Sequence, residues 1–127
     1  MKRIVSAVVF VAVALFALNA YAAGETAKAR SVALKGEVVD MGCYLGHGAM
    51  GAKHKECATM CIANGMPMGL LTSDGALYLI TMNHGNADPY NQLKGWAAEK
   101  VEVTGVMSTR NGVKAIQADV VKRLAAK

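Results

Sequence analysis

Three observations predict a mostly β (α+β) fold, a five-stranded barrel with a helical insertion between strands one and two. Five segments carry the composition and period of strands, and helical stretches follow the first and third of them. The third observation is length. The first 22 residues read as a secretory signal peptide, and the roughly 105 that remain of 127 suit a single core.

The signal-peptide reading rests on Lys2 and Arg3, an apolar run from Ile4 to Leu18, and Ala20-Tyr21-Ala22, a small-x-small cleavage pattern. The run is about 15 residues where a membrane span needs about 20, so no span is expected after cleavage. No cysteine follows it closely, which argues against a lipid-modified terminus. The chain divides into a signal peptide (1–22), a flexible leader (23–30) and one domain (31–127) with an insertion at 41–66. The expected location is the periplasm or the exterior of the cell.

Ser31 to Asp40 (SVALKGEVVD) is the first strand, with Gly36 marking a bulge or sharp bend. Met41 to Gly51 carries four glycines and is expected to be a loop that curls closely around something. Ala52 to Asn64 lacks glycine and proline and stops at Asn64-Gly65, which predicts a helix. Gly69 to Met82 reads as a hairpin turning at Ser73-Asp74-Gly75. Asp88-Pro89 opens a short helix through Leu93, with Trp96 packing below it. Val101, Val103 and Met107 alternate with polar residues. Asn111-Gly112 then turns the chain, and Ile116, Ala118 and Val120 return as the fifth strand.

This order of elements is that of an oligonucleotide/oligosaccharide-binding (OB) barrel. The segments GEVVD, DGALYLI and KVEVTGVMSTRNGVKAIQADVVKRL resemble the small exported bacterial OB-fold proteins over about two thirds of the mature chain. The resemblance implies an OB-like fold and little about function, because the cysteine-rich insertion is not typical of that family.

The segment CYLGHGAMGAKHKECATMC, from Cys43 to Cys61, holds all three cysteines and two of the three histidines. In a helix, residues three and seven positions beyond His54 turn by about 300° and 700°, so His54, Cys57 and Cys61 fall within an arc of about 60°. Cys43, at the start of the glycine-rich stretch, can fold back over that face. Cys43, His54, Cys57 and Cys61 therefore form a candidate Cys3His metal site.

A disulfide competes with this reading. Cysteines four apart in a helix hold their β-carbons about 5–6 Å apart where a disulfide needs about 3.8 Å, so Cys57 to Cys61 would unwind the helix. Cys43 with either helical cysteine is easier. Such a bond suits an oxidising compartment but strands one thiol, which metal ligation explains.

Zinc and copper ions rank level, with iron–sulfur third. Met41, Met50, Met60, Met66 and Met68 surround the cysteines, and thioethers beside thiolates favour Cu(I), although methionine is also a common core filler. His47 reads as a solvated loop residue or an exchangeable ligand, His84 as a surface residue and Tyr44 as rim packing. Asp40 and Glu56 are candidates to orient His54. Lys53 and Lys55 read as a solvated face.

Removing Lys2 and Arg3 from 14 basic residues leaves 12 against 9 acidic ones, a net +3. The lysines are scattered and the aromatics stand apart, which argues against nucleic-acid binding. There is no C-x-x-C-H haem motif, nucleophile elbow, phosphate-cradling loop or His-Glu-x-x-His helix, so no enzyme constellation emerges. Three readings stand. The first is an exported metal-binding protein, its partners the ion and another envelope protein. The second is a thiol-disulfide or electron-transfer accessory protein, and the third a ligand-binding barrel stapled by a disulfide.

Overall fold

The computed structural model describes residues 30–125. The expected signal peptide, and all of the leader except Arg30, lie outside these residues.

Strand β1 (Ser31–Asp40) is followed by helix α1 (Met41–His47), a 3-10 turn (Ala52–His54) and helix α2 (Lys55–Ala63). Next come β2 (Met68–Thr72), β3 (Leu77–Met82), helix α3 (Asp88–Lys94), β4 (Lys100–Arg110), β5 (Val113–Ala118) and β6 (Val120–Arg123). The strands hydrogen-bond in the order β1-β2-β3-β5-β4, and β4 returns to β1, closing the five-stranded OB-like barrel. β3 and β5 run parallel; the other pairs are antiparallel. The helical insertion between β1 and β2 lies where the sequence places it.

Closure depends on β1 serving two neighbours. Its residues Ser31 to Glu37 pair with β4, and Gly36 to Asp40 pair with β2, so the strand changes partner around Gly36. A β-carbon at Gly36 would lie 2.5 Å from the Leu71 carbonyl oxygen. Only a residue without a side chain lets the two backbones approach this closely.

Burial along β1 changes at the same place. Its first half alternates, as one solvent face and one core face require, whereas Glu37 to Asp40 are all buried. α1 and α2 both pack on β1, and Ala58 and Ile62 of α2 join the core built on Val38, Leu70, Val101, Val103 and Ile116. The insertion is thus held by the barrel's own apolar core. α3 contributes Leu93 to the same cluster, with Trp96 packed against it as expected.

Three sequence expectations need correction. Met41 to His47 is helical although it contains two glycines, because Asp40 caps it with hydrogen bonds from the Gly42 and Cys43 N–H groups and Gly48 closes it in the left-handed conformation. The helix predicted over Ala52 to Asn64 begins as a 3-10 turn, so His54 occupies the N-cap of α2 instead of its interior. The fifth strand is broken at Asp119, and Val120 to Arg123 form a separate β6 against the first half of β4. The break faces Gly105, where any β-carbon would collide with the Gln117 carbonyl oxygen, and the Asp119 N–H donates to the Thr104 carbonyl at 3.0 Å.

The Asn111-Gly112 turn forms as predicted, with φ of 50° and 82° at its central residues. Among the described residues, no helix is long and apolar enough to cross a membrane.

Candidate metal centre

Asp40, the last residue of β1, is 1% exposed. Its Oδ1 accepts from the Gly42 N–H at 2.9 Å and its Oδ2 from the Cys43 N–H at 3.4 Å, which fixes the first turn of α1 and with it the direction of Cys43. On the other side of the cluster, α2 carries Cys57 and Cys61 one turn apart on the side of its buried Ala58 and Ile62. The 3-10 turn delivers His54 to the same place.

The link between α1 and the 3-10 turn is tethered by a second buried acid. Glu37, 3% exposed, accepts from the Gly51 N–H at 2.5 Å and pairs with Lys100 Nζ at 3.1 Å. Gly51 has φ 78° and ψ −179°, a combination open essentially to glycine alone. Gly51 lies between Cys43 and His54, so this contact and this backbone conformation together hold the link that joins them.

The resulting donors form two overlapping triads. The ligand atoms of Cys43, His54 and Cys57 lie within 4.8 Å of one another, as do those of Asp40, Cys43 and Cys61. Cys43 belongs to both, so all four residues expected from sequence gather in one cluster, and Asp40 joins them. The spacing is compatible with a bound metal ion. All three cysteines are free thiols.

His54 Nε2 lies 4.0 Å from Asp40 Oδ2, is buried, and has no hydrogen-bond partner. Because an unpaired buried nitrogen is costly, native structures leave few of them, and one on a ring clustered with free thiols is available as a ligand.

The cluster's acid–base state follows from its crowding. The hydrogen bond to the Asp40 carboxylate, helped by desolvation and by Cys57, pushes the Cys43 thiol up to about 12. Desolvation, followed by the neighbouring Cys57, raises Cys61. Burial alone would raise Asp40, but donation from the Cys43 thiol and from the Gly42 and Cys43 N–H groups outweighs it, so the carboxyl lies below its ordinary value. Without a cation the Cys43 and Cys61 thiols hold their protons. A metal ion entering it must displace them, so binding is coupled to proton release.

The other candidates fall outside the two triads. His47 is exposed at the end of α1, its ring 6.4 Å from that of His54 and perpendicular to it. His84 is exposed in the turn after β3. Glu56 is exposed, and Asp40 Oδ2, 4.0 Å from His54 Nε2, is beyond hydrogen-bond reach, so neither carboxylate orients His54. Lys55 pairs with Glu99 at 2.9 Å. Tyr44 lines a shallow depression with Met50, Leu71 and Lys100, as a rim residue would.

Comparison of the chain with protein-family models, curated proteins and solved structures found no match.

Two residues that shape the cluster are not legible from local sequence as doing so. Nothing local marks Glu37 within its strand. Asp40 stands at the end of a strand, where Asp is a recognised helix-cap signal. The glycines that follow concealed the helix it caps.

Proposed function

We propose that this chain is an exported metal-binding protein of the cell envelope that holds a zinc or copper ion through Cys43, His54, Cys57 and Cys61. The observation carrying this reading is the buried Nε2 of His54, which lacks a hydrogen-bond partner on a ring that gathers with the free thiols of Cys43 and Cys57. An ion accepting that lone pair satisfies the nitrogen and also explains why three cysteines, an odd number, occur in an exported chain. Export itself rests on the pattern of residues 1–22, and the kinship with small exported OB-fold proteins on the strand segments quoted above.

The thiol-disulfide alternative is less well supported. Thiols that exchange rapidly are held as thiolates by positive surroundings, whereas Cys43 is pushed up to about 12 by an adjacent carboxylate.

Native mass spectrometry of protein purified from whole cultures of its own host, cells and medium together, tests the proposal. The expected result is one bound metal, three free thiols and a chain beginning near Ala23. A mass lower by two protons with no metal would instead indicate a disulfide-stapled barrel. A chain retaining residues 1–22 would remove export while leaving the metal site standing.

A further inference from the structure

Five methionines flank the cysteines in sequence, and the fold sorts them. Met68 is fully buried in the core, and Met50 and Met60 are largely exposed. The Met41 sulfur packs against β2, near the Leu77 and Val39 side chains that surround Gly69. Met66 differs from all four. Its sulfur and methyl lie 2.8 and 2.9 Å from the point where a β-carbon on Gly42 would stand, and Asp40 Oδ1 lies 3.3 Å from the same point.

Adding 2.8 and 3.3 Å places the thioether no more than about 6.1 Å from the Asp40 carboxylate. That carboxylate is itself within 4.8 Å of the Cys43 and Cys61 sulfurs. The Met66 N–H donates to the Cys61 carbonyl at 3.0 Å, which ties its backbone to the end of α2. Gly42, immediately before Cys43, leaves the space the thioether occupies. Met66 thus sits against both ligand-bearing helices, beside the one Asp that touches the cluster.

We infer that Met66 is a further ligand of the site and that it makes the site selective for monovalent copper. The inference deepens the metal-binding proposal and rests on it. Thioether sulfur is a soft neutral donor that adds little to zinc, which the thiolates and imidazole already satisfy, whereas a sulfur-rich donor set favours Cu(I). Met66 remains 39% exposed, so its flexible side chain can swing a few ångströms onto an ion without unpacking the core.

The test compares the whole chain with Met66→Leu, which keeps the apolar volume and removes the sulfur, and with Gly42→Ala, whose β-carbon displaces the thioether. Anaerobic competition against a Cu(I) chelator and a Zn(II) chelator measures each affinity. Copper-edge X-ray absorption compares the sulfur shell of the two proteins. Both variants are expected to lose about tenfold or more in Cu(I) affinity, with Zn(II) affinity unchanged and one sulfur missing from the copper shell of Met66→Leu. Unchanged Cu(I) affinity and sulfur shell in Met66→Leu would overturn the role of Met66 and leave the metal site intact. Equal losses for both metals would also overturn it, by showing that Met66 only supports the fold. A wild-type chain that binds neither metal overturns the site and this inference together.

Discussion

Replacing Glu37 with alanine removes the carboxylate that tethers the insertion to the barrel. The Gly51 N–H, which donates to it at 2.5 Å, is left without its partner, at a cost of about 1.5–3 kcal/mol for a hydrogen bond to a charged acceptor. The lost contact to Lys100 adds less than about 1 kcal/mol, because the lysine side chain is 58% exposed and its charge is screened. Together these give about 2–3 kcal/mol. For a domain of this size each kcal/mol lowers Tm by about 4–8 °C, so the midpoint of thermal unfolding by circular dichroism should fall by about 10–20 °C. Glu37→Gln keeps an acceptor for Gly51 but turns an amide toward an ammonium, and should lose about half as much. Metal affinity should weaken about tenfold in both variants, since the Gly51 segment sets the separation of Cys43 and His54. A Glu37→Ala protein melting within about 2 °C of wild type would refute the claim that this contact anchors the insertion.

His54→Phe should abolish metal binding yet leave metal-free stability unchanged or raised by about 1 kcal/mol in urea unfolding, because it removes a buried nitrogen with no partner; a loss above about 2 kcal/mol would mark His54 as structural. Asp40 titrates below its ordinary 3.8 in the folded chain, so the stability it contributes is complete above that pH and disappears as pH falls through the lower folded value. Asp40→Asn should therefore flatten the acid limb of the metal-free Tm–pH curve, and an unchanged limb would contradict this assignment. Gly105→Ala should cost about 3 kcal/mol or prevent folding, since its β-carbon meets the rigid Gln117 carbonyl; wild-type urea stability would show that β4 and β5 separate easily there. Saturation with the native metal at about 100 times Kd should stabilise the wild type by about 2.7 kcal/mol, an increment that chelation reverses and that Cys57→Ala lacks.

Much of the barrel was legible because strands that bury one face must alternate, as Val101, Val103 and Met107 do, and because Asn-Gly fits few conformations other than a tight hairpin turn. The cluster was legible because spacings of three and four bring side chains together on a helix, and that held for Cys57 and Cys61. His54 reaches the cluster by another route, a 3-10 turn, so the four residues gather as their spacing suggests while the local geometry that gathers them differs. Helix α1 was missed because its stability comes from a cap at each end and from packing on β1, not from helix-forming residues; glycine content alone argued for a loop. The interruption at Asp119 is not legible locally because it follows from Gly105, fourteen positions earlier in the chain.

Local chemistry alone therefore determined the strand pattern, the main turns and the concentration of sulfur and imidazole donors in one segment. Each of these depends on residues within a few positions of one another, and short-range sterics and periodicity act at that distance. Only the tertiary structure decided that Glu37 and Asp40 are buried, that His54 Nε2 has no partner, and that the Met66 thioether packs against Gly42 near Asp40. Those outcomes depend on closing β1 against both β2 and β4 and laying the insertion over its second half. Burial and polar pairing come from contacts across the whole fold, and no local window of sequence encodes them.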